Sequence, residues 1–452
     1  MSARGSIASD GRRLPVYPAD VRGPLMTARR ICFWLLIALW ALLPWIHIAG
    51  RPAMFLDIQR RQFFLFGASF NAQDAWLLFF IATGVAFGLV YSTALLGRAW
   101  CGWACPQTVF IEAMFRPFER LIAGTREQRM RRDRGAWTFE RIWRGVLLQS
   151  VYLGLSLLLS HMFISYFVSL PGLWKAMGDG PAEHPEAFAW MAALTALFYF
   201  NFGSFREQFC VVLCPYGRLQ SVLLDEDSLV VGYDEIRGEP RGKKGAEGVG
   251  DCVDCRRCVV VCPTNIDIRE GLQVDCIACA QCIDACDEVM VKLARPKGLI
   301  RYDSLNGLAG KPRRVLRPRV VVYTVLAALG IAAMGLAMHH RIGFEATLLR
   351  GKGAPFVTEA GVTRNTFDIH LVNKSSSVQR FTVTAEPHQA AELIVAMPEV
   401  ELEGMADRRI PLIVTQAQKD YAGDFELRVH VATGAGEKET LKGKFLGSGG
   451  PR

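Results

Sequence analysis

The sequence predicts a mixed architecture: an α-helical membrane bundle with a polar insert and an all-β C-terminal domain. Three observations predict it. Five long apolar runs lie between residues 31 and 338, two cysteine runs of matching spacing lie within residues 225–318, and polar and apolar residues alternate from about residue 345 onward. With 452 residues, 51% of them hydrophobic, the chain is long enough for about three units. It is too apolar for a disordered or fibrous protein.

Each apolar run is long enough to form a membrane-spanning helix, which needs about 20 residues. The runs are Ile31 to Ile48, Ala75 to Leu96, Val146 to Leu170, Phe188 to Phe202 and Val320 to Met338. None contains Lys, Arg, Asp or Glu, which favours membrane spans over buried core helices of a soluble protein. The first run starts late and has no small-residue cleavage site after it, so we do not expect a signal peptide.

The basic residues predict the orientation of these spans. Arginines are abundant before the first span, between the second and third, and between the fourth and fifth, whereas residues 49–74 hold three and residues 171–187 hold one lysine. Because basic loops stay in the cytoplasm, we predict a cytoplasmic N-terminus and an external C-terminus. The net charge of +9 is then a topology signal. No zinc-finger, helix-turn-helix or RNA-recognition signature accompanies it, so we expect no nucleic-acid partner.

The polar insert contains a duplicated cysteine pattern. The two runs are Cys252-x2-Cys255-x2-Cys258-x3-Cys262-Pro263 and Cys276-x2-Cys279-x2-Cys282-x3-Cys286. In a two-cluster ferredoxin, the fourth cysteine of each run ligates the other [4Fe–4S] cluster. We therefore predict two clusters with crossed ligation. One is assigned to Cys252, Cys255, Cys258 and Cys286, the other to Cys276, Cys279, Cys282 and Cys262.

Two zinc sites are the competing interpretation, because paired cysteines also bind zinc. A zinc ribbon does not need the third and fourth cysteines at these spacings, so the pattern favours iron–sulfur clusters. Asp287 stands where the second run would have proline. That proline is not a ligand, and we expect the added carboxylate only to lower the local potential slightly.

Four more cysteines form a second duplicated pattern. The motifs are Cys101-Gly-Trp-Ala-Cys105-Pro106 and Cys210-Val-Val-Leu-Cys214-Pro215. Each follows an apolar run and has an arginine just upstream, Arg98 and Arg206, so the chain contains an internal repeat. Residues four apart share a helix face, and four reactive thiolates are predicted at the cytoplasmic membrane boundary. Duplication argues against simple packing cysteines. Cu(I), zinc and an iron–sulfur cluster, or a redox-active dithiol, remain alternatives.

Other candidate ligands give weaker signals. Cys32 is interpreted as a packing residue at the inner end of the first span. His161 lies within the third span, and His339 and His340 end the fifth. A histidine in a span can bind copper or haem, but a single one more often forms a hydrogen bond between helices.

The C-terminal segment alternates polar and apolar residues in short stretches such as 366–372, 379–384 and 425–431. This is typical of half-buried strands, and about 100 residues of them indicate a β-sandwich. The segment has no cysteine and no catalytic constellation. We therefore expect a docking or stabilising module.

Taken together, the two CxxxCP motifs, the double ferredoxin insert and the outer β-domain resemble the CcoG family of cytochrome c oxidase accessory proteins, also called FixG or RdxA. The similarity covers nearly the whole chain. It implies an immunoglobulin-like outer domain and a bacterial inner membrane location, with the ferredoxin domain cytoplasmic and the C-terminal domain periplasmic. The implied divisions are residues 1–30 (N-terminal segment), 31–224 (four-helix membrane region), 225–318 (ferredoxin domain), 319–340 (fifth span) and 345–452 (outer domain).

The resemblance also implies a function. Members of this family are thought to reduce Cu(II) to Cu(I) during assembly of cbb3-type cytochrome c oxidase. Electrons would pass from an unknown cytosolic donor through the clusters to catalytic thiolates at Cys101, Cys105, Cys210 and Cys214, where copper would bind. Oxidase assembly factors, or a copper transporter or chaperone, would be the partners. A quinol-linked electron-transfer subunit and a non-redox assembly scaffold are the alternatives.

Overall fold

The computed structural model describes residues 15–48, 51–71, 74–243, 247–375, 377–388 and 391–447. The first fourteen residues of the expected N-terminal segment therefore lie outside the described part. The chain divides into two compact units. The first comprises residues 1–47 and Phe80–Ala332, and the second comprises Ile48–Phe79 and residues 333–452.

Helices make up most of the first unit. The described α-helices are α1 (Pro24–Leu42), α2 (Ala75–Leu96), α3 (Ala99–Trp103), α4 (Pro106–Phe110), α5 (Arg116–Ala123), α6 (Arg126–Arg134), α7 (Phe139–Ile164), α8 (Leu170–Asp179), α9 (Pro185–Phe198), α10 (Pro215–Leu223), α11 (Glu235–Gly238), α12 (Arg257–Val260), α13 (Gln281–Lys292), α14 (Leu305–Leu308) and α15 (Pro318–His339). Three π-helical stretches interrupt the membrane region, at Ile111–Phe115, Tyr199–Phe205 and Phe209–Leu213.

Five of these helices are long and apolar enough to cross a membrane: α1, α2, α7, α9 with its π-helical continuation, and α15. The predicted number of spans is confirmed. The first span lies earlier than the expected Ile31 to Ile48, because the helix begins at Pro24 and ends at Leu42. Pro44 explains its end, since proline lacks the N–H that would donate to the carbonyl four residues earlier. The third span likewise lies earlier than expected, at Phe139–Ile164.

The described strands are β1 (His47–Ile48), β2 (Arg51–Pro52), β3 (Met54–Asp57), β4 (Gln62–Leu65), β5 (Ala68–Phe70), β6 (Val230–Tyr233), β7 (Ile300–Asp303), β8 (Phe344–Arg350), β9 (Val357–Glu359), β10 (Val362–Asn373), β11 (Gln379–Ala385), β12 (Glu392–Val395), β13 (Glu399–Leu402), β14 (Asp407–Ala417), β15 (Phe425–Thr433) and β16 (Lys438–Phe445).

In the first unit, β6 and β7 pair antiparallel and close the cysteine-rich insert, with Val230 opposite Asp303. This ribbon and α13 share a small core that includes Val231, Met290, Leu299 and Ile300. The ribbon therefore joins the two ends of the insert and holds the cysteine loops between them.

The second unit consists mostly of strands, together with the first residues of α2 and the last residues of α15. One sheet has the order β12-β14-β10-β8, with β9 also paired to β10, and the other has the order β13-β11-β15-β16. Alternate side chains of both sheets form one core, including Ile369, Leu412, Phe381 and Val429, as expected of a sandwich. The predicted all-β domain is confirmed. The loop after the first span adds a β3-β4-β5 sheet that the sequence analysis did not predict.

Candidate functional site

The eight cysteines of the insert line two adjacent cavities. One cavity is lined by Cys252, Cys255, Cys258 and Cys286. The other is lined by Cys262, Cys276, Cys279 and Cys282, with Cys258 on its wall. The structure thus brings together the two crossed groups that the spacing predicts, with the fourth cysteine of each run beside the other run.

The two cysteine loops have matching backbone conformations. Asp254 and Arg256, around Cys255, both have a φ of 53°, and Ala278 and Ala280, around Cys279, have φ of 51° and 62°. Non-glycine residues rarely adopt such angles. A residue of positive φ on each side of the cysteine turns successive backbone N–H groups toward one point. This creates a concavity for anions, as at many iron–sulfur sites. Sequence reasoning did not predict this strain, because none of these four residues is glycine.

The spacing of the sulfur atoms fits a cluster better than single metal ions. In a tetrahedral zinc site, bonds of about 2.3 Å place the sulfurs about 3.8 Å apart. Among the described residues, no three cysteine sulfurs lie within 4.8 Å of one another. An all-thiol lining with wider separations leaves room for a four-iron cube, which is held by cysteine thiolates.

Burial raises the pKa of the Cys258, Cys276 and Cys286 thiols to about 12. Without metal, these groups are therefore protonated at neutral pH. Cluster assembly must release their protons, because only the thiolate is a ligand.

The CxxxCP motifs do not form continuous helices, so the expectation that their cysteines share one helix face is wrong. Cys101 lies in α3, whereas Cys105 precedes α4 with an extended backbone (φ −62°, ψ 126°). Cys214 repeats this geometry before α10 (φ −69°, ψ 109°). The following proline accounts for both breaks, because its ring disfavours the helical conformation for the residue before it.

The structure nevertheless brings the four CxxxCP cysteines together. Burial, together with the neighbouring Cys105 and Cys214, raises the pKa of Cys101 to about 12. Burial also raises the pKa of Cys210, again with contributions from Cys105 and Cys101. The Cys101 thiol donates a hydrogen bond to Oε1 of Gln220 at 3.1 Å. Cysteines from both repeats thus form one thiol-rich site.

The first motif packs directly against the second cysteine run of the insert. A Cβ atom built on Gly102 would lie 2.6 Å from the carbonyl oxygen of Ile277 and 2.7 Å from that of Ala278. The indole N–H of Trp103 donates to the Tyr302 hydroxyl at 2.9 Å, and that hydroxyl donates to the Ala278 carbonyl. Glycine is therefore required where the two backbones meet.

Arg98 strengthens this contact. Its guanidinium donates to the carbonyl groups of Val274 and Cys276 in the insert and to that of Gly217, just after the second motif. One side chain thus links the insert to both repeats.

The start of α1 is a further attachment point. The Asp284 carboxylate accepts hydrogen bonds from the backbone N–H groups of Leu25 (3.3 Å) and Met26 (2.7 Å). Arg29, fully buried, donates through Nε to the Gly102 carbonyl at 2.6 Å. Cys32 lies with its sulfur 3.6 Å from the Trp103 carbonyl. This cysteine, interpreted as a packing residue, therefore borders the first motif.

A buried ionic network also connects the two repeats, through residues that follow the first CxxxCP motif and residues that precede the second. Arg116 pairs with Glu112 at 2.6 Å and with Glu207. Glu119 pairs with Arg206 at 2.9 Å and with Arg129 at 3.0 Å. Sequence reasoning did not identify these pairs. The signal was the presence of both carboxylates and arginines in the segments that follow the second and fourth apolar runs. Such charges are costly to bury unless they are paired.

The span histidines have local partners. His161 contacts the Leu157 carbonyl of its own helix at 2.8 Å. The rings of His339 and His340 lie 5.4 Å apart.

Family models match most of these regions. A 4Fe-4S dicluster domain model matches residues 205–305. A 4Fe-4S binding domain model matches residues 76–123 and 183–225, which contain the CxxxCP motifs. A model of the IG-like fold at the C-terminal of FixG matches residues 334–448.

Relatives match along most of their length. Protein RdxA of Cereibacter sphaeroides is 37% identical over 393 residues, covering 83% of this chain and 82% of the relative. Nitrogen fixation protein FixG of Rhizobium meliloti is 36% identical over 445 residues, with 84% of each chain covered. A crystal structure of a FixG-related protein from Vibrio parahaemolyticus covers 24% of this chain and 99% of its own, at 14% identity and a TM-score of 0.22.

Proposed function

Because this chain belongs to the FixG/RdxA family and is a membrane-embedded iron–sulfur electron-transfer protein, we propose that it reduces Cu(II) to Cu(I) for the assembly of cbb3-type cytochrome c oxidase. The observation that carries the proposal is the direct contact of Gly102, between two CxxxCP cysteines, with the backbone between Cys276 and Cys279.

In this proposal each insert cavity holds one [4Fe–4S] cluster. Cys252, Cys255, Cys258 and Cys286 hold the first, and Cys262, Cys276, Cys279 and Cys282 hold the second. When bound, the clusters supply electrons one at a time, which matches the single electron that converts Cu(II) to Cu(I). The second group adjoins the first CxxxCP motif, so its loop is the one through which the insert faces the thiol-rich site.

The CxxxCP thiols suit copper as a substrate. Cu(I) prefers sulfur ligands, whereas Cu(II) prefers nitrogen and oxygen, so a sulfur site favours the reduced ion. The raised pKa values mean that Cys101 and its neighbours give up protons when copper binds, and copper affinity should rise with pH.

The remaining parts of the proposal concern orientation and partners. The arginine-rich loops favour a cytoplasmic insert, which would receive electrons from a cytosolic donor. The β-sandwich would then lie in the periplasm. Oxidase assembly factors, or a copper transporter or chaperone, would exchange copper with the protein. A C-terminal alkaline phosphatase fusion should be active in this orientation, and an inactive fusion would contradict it.

The central experiment follows Cu(II) by EPR after anaerobic addition to reduced protein from which excess dithionite has been removed. We expect the Cu(II) signal and the reduced-cluster signal to disappear together. Cys101→Ser/Cys105→Ser should abolish this reaction while about eight iron atoms per chain remain. Cys32→Ser is the matched control, because Cys32 borders the same motif but lies outside it. Equal Cu(II) loss in the double variant and the control would overturn the proposal.

A second candidate is that the four CxxxCP thiols hold a third [4Fe–4S] cluster. The 4Fe-4S binding domain model, which covers both motifs, favours it. The two candidates differ in iron content: about twelve iron atoms per chain, falling to about eight in Cys101→Ser/Cys105→Ser, would establish the third cluster and exclude copper from these thiols.

A further inference from the structure

An arginine-lined surface cavity, open to solvent, lies where the connection from α6 enters the membrane helix α7. Its charged lining consists of four arginines and one glutamate: Arg131, Arg132, Arg141, Arg144 and Glu140. Among the described residues, no side-chain hydrogen bond or ion pair joins this charged lining to a cysteine or to the buried ionic network. The cavity is therefore separate from the electron-transfer site.

Most of the positive charge in this cavity is not neutralised. Arg144 pairs with Glu140 at 3.0 Å. Arg132 donates to the Ala123 carbonyl, and Arg141 donates to the backbone carbonyls of Asp133, in α6, and of Gly135. Arg131 forms no ion pair or side-chain hydrogen bond with any residue that the structure describes, and it is exposed.

Capping of helix ends accounts for part of this arrangement, because arginines often bond the last carbonyls of a helix. It does not account for Arg131. It also uses only one or two of the five N–H donors that each of Arg132 and Arg141 carries. The unused donors and three unpaired charges make the cavity a site for an anion.

The cavity lies beside the start of a helix that is long and apolar enough to span a membrane. Phe139 begins α7, the third span, and its side chain is 82% exposed. Trp137 and Leu121 are each 78% exposed, and the Arg141 guanidinium stacks on the Trp137 ring at 4.3 Å. Exposed tryptophan beside the start of a span is typical of the headgroup level of a bilayer.

From this geometry we propose that the α6–α7 cavity binds the phosphate headgroup of an anionic glycerophospholipid. Guanidinium groups bind phosphate oxygens through paired, charge-assisted hydrogen bonds. The apolar side chains of Trp137, Phe139 and Leu121 cover the glycerol and the upper acyl chains. A zwitterionic lipid binds less well, because its ammonium group meets the same arginines.

The test uses the full-length protein with its clusters, reconstituted in nanodiscs of phosphatidylcholine with increasing phosphatidylglycerol. Native mass spectrometry and a fluorescent phosphatidylglycerol probe measure retained lipid and affinity. One basic side chain near a membrane surface contributes about a fivefold change in affinity. Arg131→Gln should therefore weaken phosphatidylglycerol binding about fivefold, and Arg131→Gln/Arg141→Gln about 25-fold. Arg218→Gln/Arg314→Gln is the control, because it removes two exposed arginines from the same side of the membrane.

Three outcomes would overturn the proposal. The first is equal retention of phosphatidylglycerol and phosphatidylcholine by the wild type. The second is an equal loss of binding in the cavity variant and the control, which would show a diffuse charge effect. The third is displacement of the probe by millimolar glycerol phosphate, which would identify a soluble anion as the ligand. Iron content, measured in parallel, should be unchanged in every variant.

Discussion

The two CxxxCP motifs share one cysteine spacing but have different surroundings. The spacer of the first, Gly102 to Ala104, packs against the cysteine-rich insert. The spacer of the second contains Val212 and Leu213, which are 40% and 58% exposed. The cysteines and prolines thus set a common backbone geometry, whereas the spacer residues decide which repeat contacts the insert. Only the first motif has a glycine where that contact occurs.

The two arginines upstream of the motifs also differ in their partners. Among the residues that the structure describes, Arg98 donates to three backbone carbonyl groups, two of them in the insert. Arg206 instead pairs with Glu119 and contacts the Tyr152 hydroxyl. The first arginine therefore attaches the insert, and the second stabilises the helix bundle.

The largest expected effect comes from exchanging these arginines for methionine. Arg206→Met leaves a buried carboxylate at Glu119 with one partner fewer, and removing one member of a buried pair costs about 3–5 kcal/mol. Arg98→Met leaves carbonyl groups unsatisfied, which costs about 1–3 kcal/mol. Thermal unfolding in detergent should show the larger loss for Arg206→Met, whereas faster loss of iron should be confined to Arg98→Met.

The pH dependence provides a second measure of this difference. Burial alone would raise the pKa of Glu119, but Arg206 and Arg129 hold it below its ordinary value of 4.5. The stability gained is present above that value and is lost as the pH falls through the lower pKa of the folded state. The acid-induced loss should be smaller in Arg206→Met than in Arg98→Met. Equal acid profiles would contradict the assigned roles.

Single substitutions in the two spacers should have the next largest effect. Gly102→Val brings a side chain onto two backbone carbonyls that have no rotamer to relieve the contact, and overpacking of this kind costs about 1–3 kcal/mol. We expect cluster reduction to be retained while electron transfer to the CxxxCP site falls about tenfold, because the insert separates from the first motif. Val211→Gly, at the matching position of the second motif, is the control. Rapid-mixing absorption after Cu(II) addition measures both.

An unchanged rate in Gly102→Val would mean that the contact at Gly102 does not lie on the route of the electrons. A matching fall in Val211→Gly would mean that both spacers act on the thiol site alone.

The two CxxxCP motifs also show how much of the site could be predicted from the sequence. The cysteine spacings predicted the crossed groups, and the charge-free runs predicted five spans, because these patterns depend on local chemistry. In the sequence, Gly102 was only one of the three residues between Cys101 and Cys105, and nothing marked it as a contact residue. Its contact with Ile277 joins segments about 175 residues apart, and no periodicity reports such a distance. The break before Pro106 was predictable from the proline, yet the four-residue spacing suggested a continuous helix.

The smallest expected effect tests the hydrogen bond beside this contact. Trp103→Phe removes the N–H that donates to Tyr302 while keeping an aromatic ring of similar position. A hydrogen bond contributes about 0.5–1.5 kcal/mol, and Tyr302 can still donate to the Ala278 carbonyl. We therefore expect a loss of at most about 1.5 kcal/mol in the free energy of unfolding and no change in iron content. Trp100→Phe, one turn earlier and 38% exposed, is the control.

Tyr302→Phe should cost more than Trp103→Phe, because it also removes the bond to the insert loop. If Trp103→Phe and Tyr302→Phe instead had equal effects, the Ala278 bond would contribute nothing, and the backbone contact at Gly102 would be the main attachment between the first motif and the insert.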